Sequence, residues 1–261
     1  MTNKRIFTKE ENFRFLKYLI QIFANCYRLC IFALYSYYCF ININIMLKVL
    51  SKQNSLLNQY ISEIRNVNIQ KDRMRFRRNF ERIGEIFAYE ISKDLKYGIE
   101  NITTSLGQVE CLELKQVPVL ATIMRAGLPF HHGMLNCFDH SENAFVSIFR
   151  KHHKSRKAET KVESISSPDL SGKILVLADA MLASGVSMVL SYKELITRGN
   201  PIHTHLAVIL ASEQGINLIQ RKLPDDNITI WVGEIDDELT AQGYIVPGLG
   251  DAGDLAYGSK K

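Results

Sequence analysis

The sequence predicts an α/β domain whose mostly parallel sheet is flanked by helices. Two observations carry that expectation. Five short apolar runs of strand character recur along the chain, at Val117–Ile123, Ala144–Phe149, Lys173–Leu177, His205–Ala211 and Ile228–Val232. Helical or loop segments separate them, including Ser187–Arg198. Strands that alternate with helices pair in parallel, and the crossover helices cover both faces of the sheet. In such sheets ligands bind beyond the carboxyl ends of the strands. The residues after each run are therefore the candidate functional residues.

Taken in order, the first 45 residues differ from the rest. Leu29–Met46 carries no charge over eighteen residues, about the lower limit for a membrane-spanning helix. Its asparagines and tyrosines, with no small-residue cleavage site after it, fit a signal peptide poorly. Three readings compete: a membrane anchor, an extension without a designed role, or upstream sequence ahead of a true start at Met46. The last is favoured, because an ordinary soluble pattern follows Met46. Membrane contact is expected only if residues 29–46 are part of the working protein. The division is thus an apolar extension over 1–45 and one domain over 46–261. Within that domain, Phe76, Phe80, Ile83, Phe87, Ile91 and Leu95 recur every three or four residues and predict an amphipathic helix over Lys71–Lys96. Arg75, Arg77 and Arg78 fall mostly off that stripe and read as a solvated face or an oligomer contact.

A net charge of +5, from 32 Lys and Arg against 27 Asp and Glu, is too mild to mark nucleic-acid binding. It suits an enzyme with polyanionic substrates equally well. Five cysteines without a C-x-x-C pair exclude a disulfide framework and a zinc ribbon, and point to a reducing cytoplasm.

Chemistry concentrates after three strands. Ile174–Ser187 reads as a buried strand, an acid, a turn of small residues and a helix start. Asp179 at a strand end can accept hydrogen bonds from two vicinal hydroxyls. The Ala183–Ser187 turn gathers backbone N–H groups at a helix N-terminus, where partial positive charge favours a phosphate. Ser184 and Ser187 can add hydroxyl donors, and Gly185 permits close approach. The plain alternative is that Ser184 or Ser187 only caps a helix and Asp179 only closes a turn. Arg125, after the first core strand, offers a planar fork of donors to a polyanion. Arg150, after the second, opens the basic run Lys151–Lys157, which could form a cationic lid. His131, His132, His152 and His153 read as solvated loop residues, and no metal ligand is expected. Tyr244–Asp254 holds Pro247 and three glycines in a tight path. Such a loop can read a planar base edge with fixed main-chain donors and acceptors.

Together these segments resemble the uracil branch of the type I phosphoribosyltransferases. Asp179-Ala-Met-Leu-Ala-Ser-Gly-Val-Ser187 is similar to the branch's D-P-M-L-A-T-G-G-S motif for phosphoribosyl pyrophosphate (PRPP). Met124-Arg-Ala-Gly-Leu128 resembles L-R-A-G-L, Phe149-Arg150 resembles Y-R, and Tyr244–Asp254 matches the branch's base loop. Glu234-Ile-Asp-Asp-Glu238 resembles the approach to that loop.

The resemblance implies a type I phosphoribosyltransferase fold with a small base-binding hood. It implies conversion of uracil and PRPP to UMP and pyrophosphate, with Mg²⁺ carried on PRPP. PRPP would be bound by Arg125, Arg150, Asp179, Ala180, Met181, Leu182, Ala183, Ser184, Gly185, Val186, Ser187 and Asp251. Uracil would be bound by Ile245, Gly250, Asp251 and Ala252, and catalysis would rest on Asp251, Arg125 and Arg150. A homo-oligomer is implied, and some members of the family respond to GTP. Three departures bear on the PRPP motif, of which Ser184 in place of Thr keeps the hydroxyl. Ala180 stands where this branch has Pro and the wider superfamily an acid. Val186 replaces a usual Gly, and a β-branched residue resists positive φ. The turn must therefore use ordinary angles there or be reshaped. A PRPP-sensing, RNA-binding regulator and a transferase for another base remain as rivals, although no nucleic-acid partner is expected.

Overall fold

Strand β1 (Met46–Val49) opens the fold and is followed by helices α1 (Leu56–Arg65) and α2 (Arg73–Ser92). This is a computed structural model, and it describes residues 45–151, 159–223 and 227–259. Ile45–Lys261 forms one compact unit. The extension expected over residues 1–45 lies, as far as Asn44, outside the described residues. Next come the hairpin β2 (Tyr97–Thr103) and β3 (Gln108–Leu114), then β4 (Val119–Met124), α3 (Leu128–Cys137), β5 (Asn143–Lys151) and β6 (Glu159–Ser166). The chain continues through β7 (Ile174–Leu182), α4 (Val186–Leu195), β8 (His203–Ser212), α5 (Glu213–Lys222) and β9 (Ile228–Asp236). A short ribbon of β10 (Glu238–Leu239) and β11 (Ile245–Val246) leads to α6 (Ala252–Tyr257).

All five predicted runs are strands of one seven-stranded sheet, in the order β1-β9-β8-β7-β4-β5-β6. Every neighbouring pair is parallel except the antiparallel β5–β6 pair at one edge. The expected α2 stripe is real: Phe76, Phe80, Ile83, Phe87 and Ile91 are buried against one face. Asp72 starts that helix by accepting from the N–H groups of Met74 and Arg75. Side chains alternate across β7: Val176 and Ala178 join the core under α2 and α3, while Leu175 and Leu177 join the core under α4 and α5. The arginines off the stripe have specific partners. Arg75 pairs with Glu63 at 3.0 Å, Arg78 pairs with Glu81 at 2.6 Å, and Arg77 donates to the Ala256 carbonyl at 2.7 Å.

Two histidine expectations are corrected. His131 and His132 lie on α3, not in a loop, and His131 is buried against the Phe145 ring. Most of the first two turns of α3 is buried, which carries His131 inward, and burial lowers its pKa. His152 and His153 lie outside the described residues.

His205 is a second buried histidine, on β8, where its Nδ1 accepts from Trp231 Nε1 at 3.0 Å. Burial, reinforced by the neighbouring His203, lowers its pKa from 6.5 to about 3. The unfolded chain therefore takes up this proton as pH falls below 6.5, while the folded chain does not until about pH 3. Stability is complete above the unfolded value and is lost on acidification through that window. At pH 5 this one group should cost about 2 kcal/mol, since each pH unit is worth ~1.4 kcal/mol. Below pH 4.5, Glu63 adds a loss of the same sign. Its carboxylate is held down to about 2, chiefly by the Arg75 guanidinium and then by Asn79. Urea unfolding at pH 7.5 and pH 5 should show the drop, and His205→Gln should reduce it.

Candidate active site

The Arg125 turn, the end of β7 and the glycine-rich run meet at the carboxyl ends of β4 and β7, which pair through Thr122 and Ala178. Arg125 follows β4 directly, after a cis Met124–Arg125 peptide. Gly127 then brings the chain against β7: a Cβ built there would lie 3.3 Å from the Ala178 carbonyl oxygen. The Arg125 turn therefore sits beside Asp179.

Strand β7 runs five residues past its expected end. The neighbouring β8 stays in register through Leu210 and Ala211, opposite Met181 and Leu182. Asp179 is thus within the strand, half-buried, and accepts from the N–H of Ala180 at 2.7 Å. Ala180 and Leu182 turn their side chains into the core, and only their main chain is left to face a ligand. The turn itself narrows to Ala183–Gly185, and α4 begins at Val186.

The doubt over Val186 is settled by where the left-handed angle falls. Gly185 has φ of 79° as the residue preceding α4, and no non-glycine described residue has positive φ. Val186 is simply the first helical residue, where ordinary angles hold, and its side chain is partly exposed. Ser184 and Ser187 flank this helix start and are half-buried.

The glycine-rich run folds back toward Arg125. Asp251 caps α6, its Oδ1 accepting from the N–H of Asp254 at 2.9 Å. Arg125 Nη2 reaches Asp254 Oδ1 at 3.2 Å and, with Nη1, the Gly258 carbonyl at 3.4 Å. Arg125 Nε is buried with no hydrogen-bond partner among the described residues. Gly253 lies between the two side chains: a Cβ there would lie 3.3 Å from Asp251 Oδ1 and 3.7 Å from Arg125 Nη2. Ile245, Leu249 and Ala252 turn their side chains into the same core as Ala178 and Ala180. Tyr244 and Val246 on the same run are exposed, at 47% and 39%.

A buried ion pair anchors the run. Arg65 grips Asp236 through two bonds of 2.8 Å, and Asp236 Oδ2 accepts from the N–H of Gly248 at 3.0 Å. Arg65 Nη1 also donates to the Gly248 carbonyl at 3.0 Å, so both polar groups of that peptide position are fixed. Gly248 is required here: φ is 55°, and a Cβ would lie 2.1 Å from the Ile245 carbonyl oxygen. The Gln70 amide, turned to face its acceptors, adds a bond of 2.9 Å to the Leu249 carbonyl.

Residues 50–259 match the family model for uracil phosphoribosyltransferase. The chain belongs to the uracil phosphoribosyltransferase family. It is 54% identical over 211 residues to the uracil phosphoribosyltransferase of Porphyromonas gingivalis, covering 81% of this chain and 97% of that one. It is 32% identical over 203 residues to the enzyme of that name from Pyrococcus furiosus, covering 77% and 85%. Among solved structures it resembles the AQ2163 protein of Aquifex aeolicus, with a TM-score of 0.72 and 27% identity, covering 82% of this chain and 98% of that one.

Of the residues that the uracil phosphoribosyltransferase motifs select, the structure joins Arg125, through Asp254, to the helix turn that Asp251 caps, and sets the Arg125 turn beside Asp179. Arg150 is placed only as backbone, near the end of β5 and opposite Thr160 of β6. The expected lid falls largely on residues 152–158, outside the described residues. Sequence reasoning gave no role to Arg65, Gln70, Asp236 or Asp254. Asp236 lay within a quoted family segment, and that was its one available signal. Arg65 carries none, because its partner is 171 positions away.

Proposed function

We propose that this chain joins uracil to PRPP through the residues at the β4 and β7 ends, giving UMP and pyrophosphate. The observation that carries the assignment of roles is the meeting of Arg125 with the Asp251–Asp254 turn. The N–H groups at the start of α4 and the hydroxyls of Ser184 and Ser187 hold the 5′-phosphate. Asp179 accepts from the ribose hydroxyls. Arg125, with Arg150, holds the pyrophosphate. The main chain at Ile245 and Gly250–Ala252 reads the uracil edge. Uracil N1 then bonds to the anomeric carbon as the bond to pyrophosphate breaks. The Asp251 carboxylate faces the positive charge on the ribose and accepts the N1 proton. Positioning and charge supply the rate, since no covalent enzyme intermediate is needed.

Mg²⁺ carried on PRPP would supply charge neutralisation at the pyrophosphate. An ion that prefers phosphate oxygens and water to an all-protein cage suits a site where Ala180 stands in place of an acid. A homo-oligomer and a response to GTP are carried by the family relationship alone. A cytoplasmic location fits the free thiols of Cys111 and Cys137. No helix among the described residues is long and apolar enough to cross a membrane.

Incubating the full chain with PRPP, Mg²⁺ and each of uracil, orotate, hypoxanthine and adenine tests the reading. Nucleotide should form with uracil alone, and no UMP from uracil would refute it. Arg125→Ala should raise the KM for PRPP roughly 10- to 100-fold, the worth of charge-assisted bonds of about 1.5–3 kcal/mol. The KM for uracil should stay within about twofold. Arg125→Lys should recover only part of the loss, because an ammonium cannot present the planar fork. An unchanged PRPP requirement in Arg125→Ala would remove this residue from the site.

A further inference from the structure

We propose that Ser212 is a positioning residue for the 5′-phosphate of PRPP and UMP, acting through the Ala183 carbonyl. The inference rests on the reading of Ala183–Ser187 as the phosphate turn and names what aims it. Ser212 ends β8 and is fully buried. Its extended backbone and its hydroxyl make it the N-cap of α5, Oγ accepting from the N–H of Gly215 at 3.0 Å. The same Oγ donates to the Ala183 carbonyl at 2.6 Å. One hydroxyl carries one proton and free lone pairs, so it satisfies both partners at once.

The consequence lies in the peptide plane. In a trans peptide the carbonyl and the following N–H point in opposite directions. Pinning the Ala183 carbonyl toward α5 therefore turns the Ser184 N–H away from α5. Gly215 lets α5 sit close enough to do this. A Cβ there would lie 2.4 Å from the Ala183 carbonyl oxygen and 2.7 Å from that of Leu182. Gly185 meets α5 from the other side, since a Cβ on it would lie 2.8 Å from the Gly215 carbonyl oxygen. The first turn of α5 thus forms a rigid backing for the phosphate turn, and Ser212 is its polar link.

Ser212→Ala leaves the Ala183 carbonyl without its partner and frees the turn to rotate. The test measures KM for PRPP and uracil, together with direct calorimetric binding of UMP and of pyrophosphate. PRPP and UMP share the 5′-phosphate, so the KM and the UMP Kd should both rise roughly tenfold, the worth of one hydrogen bond. Uracil KM and pyrophosphate binding should stay within about twofold. Gly215→Ala displaces the same carbonyl by another route and should give the same pattern, which keeps the test open if Ser212→Ala folds poorly. A folded variant with lower Tm but unchanged PRPP KM and UMP affinity would overturn the inference. So would equal weakening of UMP and pyrophosphate. A wild-type protein that binds UMP but forms none from uracil would instead contradict the transferase reading.

Discussion

Asp251→Asn should lower kcat at least a hundredfold while leaving the unfolding midpoint within about 1 °C of the parent. The two halves of that expectation come from two jobs of one carboxylate. As the residue before α6, Asp251 accepts from the N–H of Asp254, and asparagine caps helices about as well. As a charge close to Arg125, it would face the ribose when the bond to pyrophosphate breaks, and asparagine cannot replace that charge. Groups that stabilise transition-state charge or move a proton commonly contribute factors of about 10²–10⁴. Asp251→Ala should show the same loss of turnover plus about 1 kcal/mol of lost stability from the missing cap. Comparing kcat with thermal unfolding across the pair separates the roles. If Asp251→Asn is fully active, the carboxylate is only a cap.

Asp236→Ala should have the largest effect on stability, about 3–5 kcal/mol, and should also raise the KM for uracil. Asp236 is 6% exposed and its partner Arg65 is 21% exposed. Removing one member of so buried a pair leaves the other charge uncompensated, which costs far more than the pair contributes. The damage reaches the run proposed to bind uracil because Asp236 Oδ2 also takes the Gly248 N–H. Without it, Gly248 loses one of its two polar anchors. Uracil recognition by fixed main-chain groups should suffer, whereas the PRPP site at β7 and α4 should not. Denaturant unfolding and paired KM values check both parts. A stability loss with unchanged uracil KM would confine Asp236 to folding.

Much of this fold was legible because its strands are buried on both faces and read as plain apolar runs. The five central strands and α2 follow from local pattern alone. Strand β1 did not, because four residues at a sheet edge carry little pattern. The β2–β3 hairpin did not either, since most of its residues are exposed. The end of β7 was misjudged at Leu177 because Asp179 reads as a strand terminator, although β8 holds the strand in register to Leu182. Val186 was a local worry with a local answer: Gly185 alone takes the left-handed angle.

What local pattern could not supply were the long-range supports. The Arg65–Asp236 pair and the Ser212–Ala183 bond join residues far apart in the chain, and neither partner advertises the other. Ser212 did carry a weak signal, a serine that follows an apolar strand and precedes the acid Glu213, as at a helix start. The motifs were therefore readable in the sequence, while the scaffolding that surrounds them was not.

A crystal structure of the full chain with UMP bound tests the account most directly. The phosphate should lie on the N–H groups of Ser184–Ser187, the ribose hydroxyls on Asp179, and the uracil edge on the main chain of Ile245 and Gly250–Ala252. UMP bound with its base away from the Tyr244–Asp254 run, or with its phosphate elsewhere than the start of α4, would contradict it.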